Sequence, residues 1–366
     1  MFSHQKIMTK PQLIETDISI NINNEIKDQS HIAVDTEFMR ERTFFAQLCL
    51  VQVATPKSIY CIDVLSSKLL KDFWHTLSNA SCVIHSARQD LEIIYQTGKI
   101  LPAQIFDTQI ASGLVGFSPQ ISYASLVEKL CGKILKKNQT RANWSKRPFS
   151  REMIEYAGED VEFLLDLHES LSEMLEKSGR LMWAQEDSNN LLNKDLYNNK
   201  PKEAINRIKG AQYLSGKTKK AVHLLAEWRE KEAIKKDLPR KWILKDKTLF
   251  NLASSNIKST SDFDGISNLP NAIIKYSGEE IIKILRDAQL SNKNYVAQSK
   301  MNEKQKKALN EMQKLVLNKS EELEISPEII ASKKEMKSLL SGNINSKFTQ
   351  GWRKEVFGNQ LLELLS

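Results

Sequence analysis

The apolar residues of this chain change their period partway along it, and that change limits the fold more than any other feature. Up to about residue 64 they cluster in short runs that alternate with polar residues, as strands require; from residue 122 onward they recur at helical spacing. Such a chain is neither one all-β nor one all-α domain. His31–Phe38 (HIAVDTEF) is apolar and β-branched and ends in acidic residues. Gln47–Ala54 (QLCLVQVA) alternates as a half-buried strand should, and Ser58–Val64 (SIYCIDV) follows a Thr-Pro turn. Three strands with short connections predict a meander. A helix is expected over 69–77, a short strand over Cys82–His85, a helix over 87–97, a strand at Ile105–Asp107 and a helix over 108–115. Strands with helices between them imply a mixed α/β sheet. Ser122 opens a further helix. Ser150 opens a long one toward Gly179, with Glu152 and Glu155 near its N-terminus, where the helix dipole favours carboxylates.

The length, 366 residues, exceeds one ordinary domain. The Asn-rich stretch Asn189–Pro201 and the polar stretch Leu290–Met301 are the candidate linkers. They divide the chain into residues 1–195, 202–289 and 302–366, the last two all-helical. Hydrophobic residues make up 41%, enough to bury a core, so global disorder is excluded. No apolar run reaches the ~18 residues of a membrane-spanning helix. The N-terminus, with Lys6, Lys10, Glu15 and Asp17, does not read as a secretory signal, so a cytoplasmic location is expected. The four cysteines are far apart and suggest buried thiols, neither a disulfide frame nor a zinc site.

Net charge is +8, unevenly spread. Residues 1–200 carry 22 basic and 25 acidic side chains; residues 201–366 carry 31 and 20. The asymmetry points to a polyanion such as nucleic acid. An ordinary Lys-rich composition with solvated helices fits the same numbers.

Four carboxylates from three segments stand out. Asp35 and Glu37 are two apart at the end of the first strand, so both project from one face. Asp90 lies near the start of a helix, where it could equally favour the dipole. Tyr156 and Asp160 are four apart in a helix and share a face. Oxygen-only ligands suit Mg²⁺ or Mn²⁺ far better than zinc. Two such ions ~4 Å apart serve in-line displacement at phosphorus, which implies phosphodiester hydrolysis.

The segments VDTEF (34–38), HSARQDLEII (85–94), FDTQIA (106–111) and YAGEDVEFLLDL (156–167) resemble the motifs of the ribonuclease D family, DEDD exonucleases with tyrosine in the last motif. NQTRANWSKRPFS (138–150) resembles the segment preceding that motif. LLAEWREKEAIKKDLPRKWILKDKTLFNLA (224–253) resembles a helicase-and-RNase-D C-terminal (HRDC) domain, and FTQGWRKEVFG (348–358) the family's closing helix. The resemblance implies an α/β ribonuclease-H-like exonuclease domain, a mixed sheet flanked by helices, followed by one or two HRDC bundles. It further implies that Asp35, Glu37, Asp90 and Asp160 bind two divalent metal ions and that Tyr156 orients the attacking water. Phe38, Gln47 and Leu48 are expected to shape the pocket for the last base. Trp144 and Arg147 are expected to contact substrate, with a hydrophobic anchor and a salt bridge as the alternative. Asp107 and His85 read as supporting residues.

The activity implied is metal-dependent 3′→5′ exoribonuclease trimming of tRNA precursor 3′ ends, releasing nucleoside 5′-monophosphates. RNA is the expected partner, and neither a membrane nor an obligate protein partner is inferred. A DNA 3′→5′ exonuclease of the same fold and a non-catalytic RNA-binding scaffold remain the alternatives. In the basic helical half Trp228 and Trp242 read as bundle core, or else as stacking platforms for unpaired bases.

Overall fold

A computed structural model describes residues 10–16, 20–66, 70–135, 142–290, 295–297, 301–343 and 347–360. The strands are β1 (Gln12–Ile14), β2 (Ile32–Met39), β3 (Gln47–Ala54), β4 (Ile59–Asp63), β5 (Ser81–Ile84) and β6 (Gln104–Asp107). They form one mixed sheet in the order β1-β4-β3-β2-β5-β6. The expected meander is its centre: β3 pairs antiparallel with β4, and β2 lies on its other side. β5 pairs parallel with β2 and β6 parallel with β5, so helices must cross over between them. β3 departs from the half-buried expectation. From Leu48 onward all its residues are buried, at the centre of the sheet between β4 and β2. Gln52 is wholly buried there.

The helix that carries Asp160 is fixed by close approaches. The helix expected to run unbroken from Ser150 is two helices, Arg151–Glu162 and Leu164–Lys177, meeting at Phe163. The half-buried Tyr123 side chain holds that joint. Its hydroxyl donates to the Glu159 carbonyl at 2.9 Å and accepts from the Phe163 N–H at 3.1 Å. Leu164, Leu167, Leu171 and Leu175 form the buried stripe of the second helix, each contributing roughly 2 kcal/mol. Gly158 lies against Pro11, where a Cβ would stand 2.1 Å from the proline ring, so only glycine lets the N-terminal segment lie on this helix.

The chain folds as two compact units. The first comprises the chain up to Met39, Leu48–Tyr197, and the part from Asn302 onward. The second comprises Arg40–Gln47 and Asn198–Met301. The division differs from the sequence expectation in two places. The described residues from Asn302 onward fold with the sheet and not as a separate bundle, and Arg40–Gln47, the connection after β2 with the first residue of β3, folds with the helices.

The first departure has a visible cause. Trp352 stacks on Trp183 with ring centroids 4.3 Å apart and planes within 5°. Arg353 grips Asp187 through two hydrogen bonds of 2.6 and 2.8 Å, both side chains nearly buried. Gly351, at φ +54°, precedes them, and a Cβ there would overlap the Glu186 carboxylate. The expected linker is structured too: Tyr197 is buried, and the Arg88 guanidinium lies 5.0 Å from its ring centroid.

The second unit is helical. Its core gathers Val222, Leu225 and Trp228 from the helix Gly216–Lys236, Leu249 and Leu252 from Asp246–Ser254, and Ile281 and Leu285 from Asn271–Leu290. Trp228 is buried and donates its indole N–H to Glu280 at 2.9 Å, whereas Trp242 is 58% exposed. The two tryptophans therefore separate: one is core and the other is not. The positive charge also localises. Residues 198–301 carry 21 basic and 11 acidic side chains, while residues 302–366 carry 11 and 9. No disulfide joins any of the four cysteines, and among the described residues no helix is long and apolar enough to cross a membrane.

Candidate active site

β2 is buried through Val34, then opens at Asp35 and Glu37, which alternate to the same face. The helix Arg151–Glu162 presents Asp160 to them. Ser150 caps that helix, accepting the Met153 N–H at 3.3 Å. One carboxylate oxygen each from Asp35, Glu37 and Asp160 lies within 4.8 Å of the others. The fourth carboxylate, Asp90, stands outside this trio. It sits in the first turn of the helix Arg88–Gly98 and accepts a 2.5 Å hydrogen bond from the Thr36 hydroxyl. Thr36, between the two strand carboxylates, thus ties Asp90 to β2. The sequence pattern offered no reason to single it out.

Asp107 and His85 do supporting work. Asp107 caps its own helix, accepting the Gln109 and Ile110 N–H groups at 2.8 and 3.2 Å. It also accepts the Ser86 and Ala87 N–H groups at 3.1 and 2.8 Å, which stabilises the left-handed turn at Ser86 (φ +59°) leading into the Asp90 helix. His85 bonds Thr108 at 2.9 Å and the Ile121 carbonyl at 3.1 Å, so both ring nitrogens are engaged.

The substrate contact expected of Trp144 and Arg147 is not what the geometry offers. Trp144 is buried beside Tyr156 and Phe149, with ring centroids 6.2 and 6.1 Å away. Arg147 makes two 2.6 Å bonds to the buried Asp63, donates to the Trp144 and Cys49 carbonyls, and lies over the Phe149 ring. The anchor-and-salt-bridge alternative describes them, and Asp63, at the end of β4, is the partner that the sequence did not reveal. Of the residues expected around the last base, Phe38 is half-buried, Leu48 is buried, and Gln47 is exposed and belongs to the helical unit.

The electrostatics follow from crowding acids under cover. Burial, then repulsion from Asp90, Asp160 and Glu37, pushes Asp35 well above the usual carboxylate range. Burial, with Asp160 and Asp90 adding to it, lifts Glu37 to about 9. Asp90 and Asp160 are raised to about 7, burial again being the largest cause, each partly relieved by its hydrogen bond from Thr36 or Tyr156. Burial and the same carboxylates raise Tyr156, so its hydroxyl stays protonated and acts as a donor. Acids this close and this covered are at ease only with protons or cations between them. An all-oxygen set of this spacing fits a hard divalent cation.

The family described as 3′-5′ exonuclease matches residues 14–176, and the HRDC domain family matches residues 219–285. Ribonuclease D of Bartonella henselae is 33% identical over 365 residues, covering 96% of this chain and 88% of that protein. Ribonuclease D of a Jannaschia species is 34% identical over 350 residues, covering 92% and 90%. The crystal structure of Escherichia coli RNase D, described as an exoribonuclease involved in structured RNA processing, superposes with a TM-score of 0.89 at 26% identity, over 97% of this chain and 98% of that one. With its 3′-5′ exonuclease domain, its HRDC domain and relatives matched along most of their length, the chain belongs to the ribonuclease D family of 3′→5′ exoribonucleases.

Proposed function

We propose that this exoribonuclease trims the 3′ ends of tRNA precursors with two Mg²⁺ or Mn²⁺ ions, releasing nucleoside 5′-monophosphates. The observation that carries this is the trio of carboxylate oxygens from Asp35, Glu37 and Asp160 within 4.8 Å, with Asp90 tied to the same strand. Divalent cations held there supply a Lewis acid for the phosphate and lower the pKa of an attacking water. The residues of the chain do the rest. Asp35, Glu37, Asp90 and Asp160 hold the cations. Tyr156, protonated and hydrogen-bonded to Asp160, presents a hydroxyl that aligns the water. Phe38 and Leu48 shape the pocket for the terminal base. The helical unit, with its excess of basic side chains, attracts the RNA backbone.

Two tests bear on this. Matched RNA and DNA oligonucleotides with the same 3′ sequence are offered with Mg²⁺ or Mn²⁺. Selective loss of RNA one nucleotide at a time is expected, and equal digestion of DNA contradicts the RNA assignment. Separately, Trp242 is exposed in a short helix that also carries Lys241. An exposed ring among cations suits stacking on an unpaired base. Trp242→Ala weakens binding of a tRNA precursor by ~1–3 kcal/mol and leaves hydrolysis of a trinucleotide at the parent rate. Filter binding and trinucleotide kinetics check the pair of effects, and unchanged binding removes Trp242 from the RNA path.

The raised carboxyls also set a pH dependence for the metal-free protein. With Glu37 near 9 and Asp90 and Asp160 near 7, the folded cluster binds protons that the unfolded chain has released by pH 5. Their contribution to stability is therefore full below about pH 4 and is lost as the pH rises through 7 and 9. In chelator the melting midpoint falls between pH 5 and pH 9, and saturating Mg²⁺ recovers much of the loss. Asp160→Asn flattens the slope. A slope in chelator that Asp160→Asn leaves untouched contradicts the crowded cluster.

A further inference from the structure

The segment Arg40–Gln47 joins β2 to β3, both strands of the sheet, yet it folds as part of the helical unit. Phe44 is 8% exposed and belongs to the buried core of that unit, 160 residues or more ahead of the rest of it in the chain. Three contacts hold it. The backbone N–H groups of Phe44 and Phe45 both donate to one oxygen of Asp237, each at 3.0 Å. The Arg240 guanidinium lies 4.4 Å from the Phe44 ring centroid. Arg240 is itself fixed by two hydrogen bonds, 2.5 and 2.7 Å, to Glu230, which is almost wholly buried and also receives Arg207 at 3.1 Å.

Asp237 occupies an unusual position for this task. It ends the helix Gly216–Lys236 in the left-handed region, φ +48°, where glycine is the ordinary choice. An aspartate there carries a backbone cost that glycine avoids. Its carboxylate is aimed at the loop, so the side chain has a use that offsets the cost. The loop begins at Arg40, three residues after Glu37 and two after Phe38. Whatever fixes Phe44 and Phe45 limits where the open end of β2 can go.

We propose that Asp237, Arg240 and Glu230 form a clamp through which the HRDC-containing unit positions the catalytic end of β2. The unit then does two things: it attracts RNA, and it holds Glu37 and Phe38 in register with Asp160. These are positioning residues and touch no substrate. The inference rests on the site assignment above for its effect on rate, but the clamp itself can be tested without catalysis.

Asp237→Gly removes the acceptor and leaves a residue that suits the left-handed helix end. Asp237→Asn keeps one acceptor oxygen and also tolerates that conformation. Two measurements are made on the full chain. Amide hydrogen exchange of residues 34–47 is expected to rise at least tenfold in Asp237→Gly and to stay near the parent in Asp237→Asn. Hydrolysis of an RNA trinucleotide is expected to lose about tenfold in kcat with little change in KM in Asp237→Gly, and Asp237→Asn is expected to restore most of it. Parent-like exchange across 34–47 in Asp237→Gly overturns the clamp whatever the activity. Raised exchange with unchanged trinucleotide kcat overturns its role in positioning. A parent protein that leaves the trinucleotide intact speaks against the site assignment instead, and the exchange result still decides the clamp. Phe44→Leu, which keeps an apolar core residue but loses the ring beneath Arg240, is expected to raise exchange in the same segment.

Discussion

Asp35→Ala and Asp160→Ala each lower the rate of RNA hydrolysis by ~10³-fold or more, because each removes an oxygen donor from the carboxylate cluster proposed to hold divalent cations beside the phosphate. Stability moves the other way or not at all. Asp35 and Glu37 are pushed up partly by Asp160, so its removal relieves repulsion in the metal-free fold. A loss of activity that tracks a loss of folding therefore contradicts the assignment. Tyr156→Phe separates alignment from metal binding. The ring stays packed beside Trp144, and only the hydroxyl that bonds Asp160 is lost. A fall of ~10²-fold in turnover is expected, as for removal of one oriented donor, with RNA binding nearly unchanged. Single-turnover kinetics with an end-labelled oligonucleotide resolve both effects.

The largest effect on stability is expected far from the carboxylates. Arg353→Ala leaves Asp187 nearly buried without the two bonds it receives, and also strips the guanidinium from the face of Trp352, 4.2 Å away. Breaking a buried pair by removing one partner costs ~3–5 kcal/mol. For a unit of this size that lowers the melting midpoint by ~10 °C. Ending the chain before Asn302 is expected to do at least as much, since Trp183 then loses its stacked partner. Differential scanning calorimetry on the two variants checks this, and parent-like melting in either contradicts the joint fold. One consequence is practical. Deleting residues 202–366 as a block damages the sheet unit along with the helices, so it cannot isolate what the helices contribute to RNA binding. A point variant such as Trp242→Ala leaves the sheet unit whole.

What could be read from the sequence had short-range causes. The meander of β2, β3 and β4 was legible in short apolar runs joined by short connections, and the helix starts at Ser122 and Ser150 in side chains that cap the next turn. Asp35 with Glu37, and Tyr156 with Asp160, were legible because strand and helix periods decide which residues share a face. What stayed hidden depends on partners distant in the chain. β1 is three residues long and owes its existence to pairing with β4, so no local pattern announces it. The helix broke at Phe163 because Tyr123, 40 residues earlier, binds the joint. Trp228 and Trp242 look alike in sequence. Only the bundle decides that one reaches Glu280 and the other reaches water. Arg147 read as a substrate contact or a salt bridge, and its partner Asp63, 84 residues earlier, has no local signal. The stretch between the first two strands read only as a short connection, because its anchor at Asp237 lies more than 190 residues away.

The most direct measurement follows a tRNA precursor labelled at its 5′ end and carrying a 3′ trailer, incubated with the purified protein and Mg²⁺. The expected result is a ladder that shortens one nucleotide at a time from the 3′ end and is abolished both by chelator and by Asp160→Ala. Release of the 5′ label as a mononucleotide, internal cleavage, or digestion that survives chelation would contradict a metal-dependent 3′→5′ exoribonuclease built on Asp35, Glu37, Asp90 and Asp160.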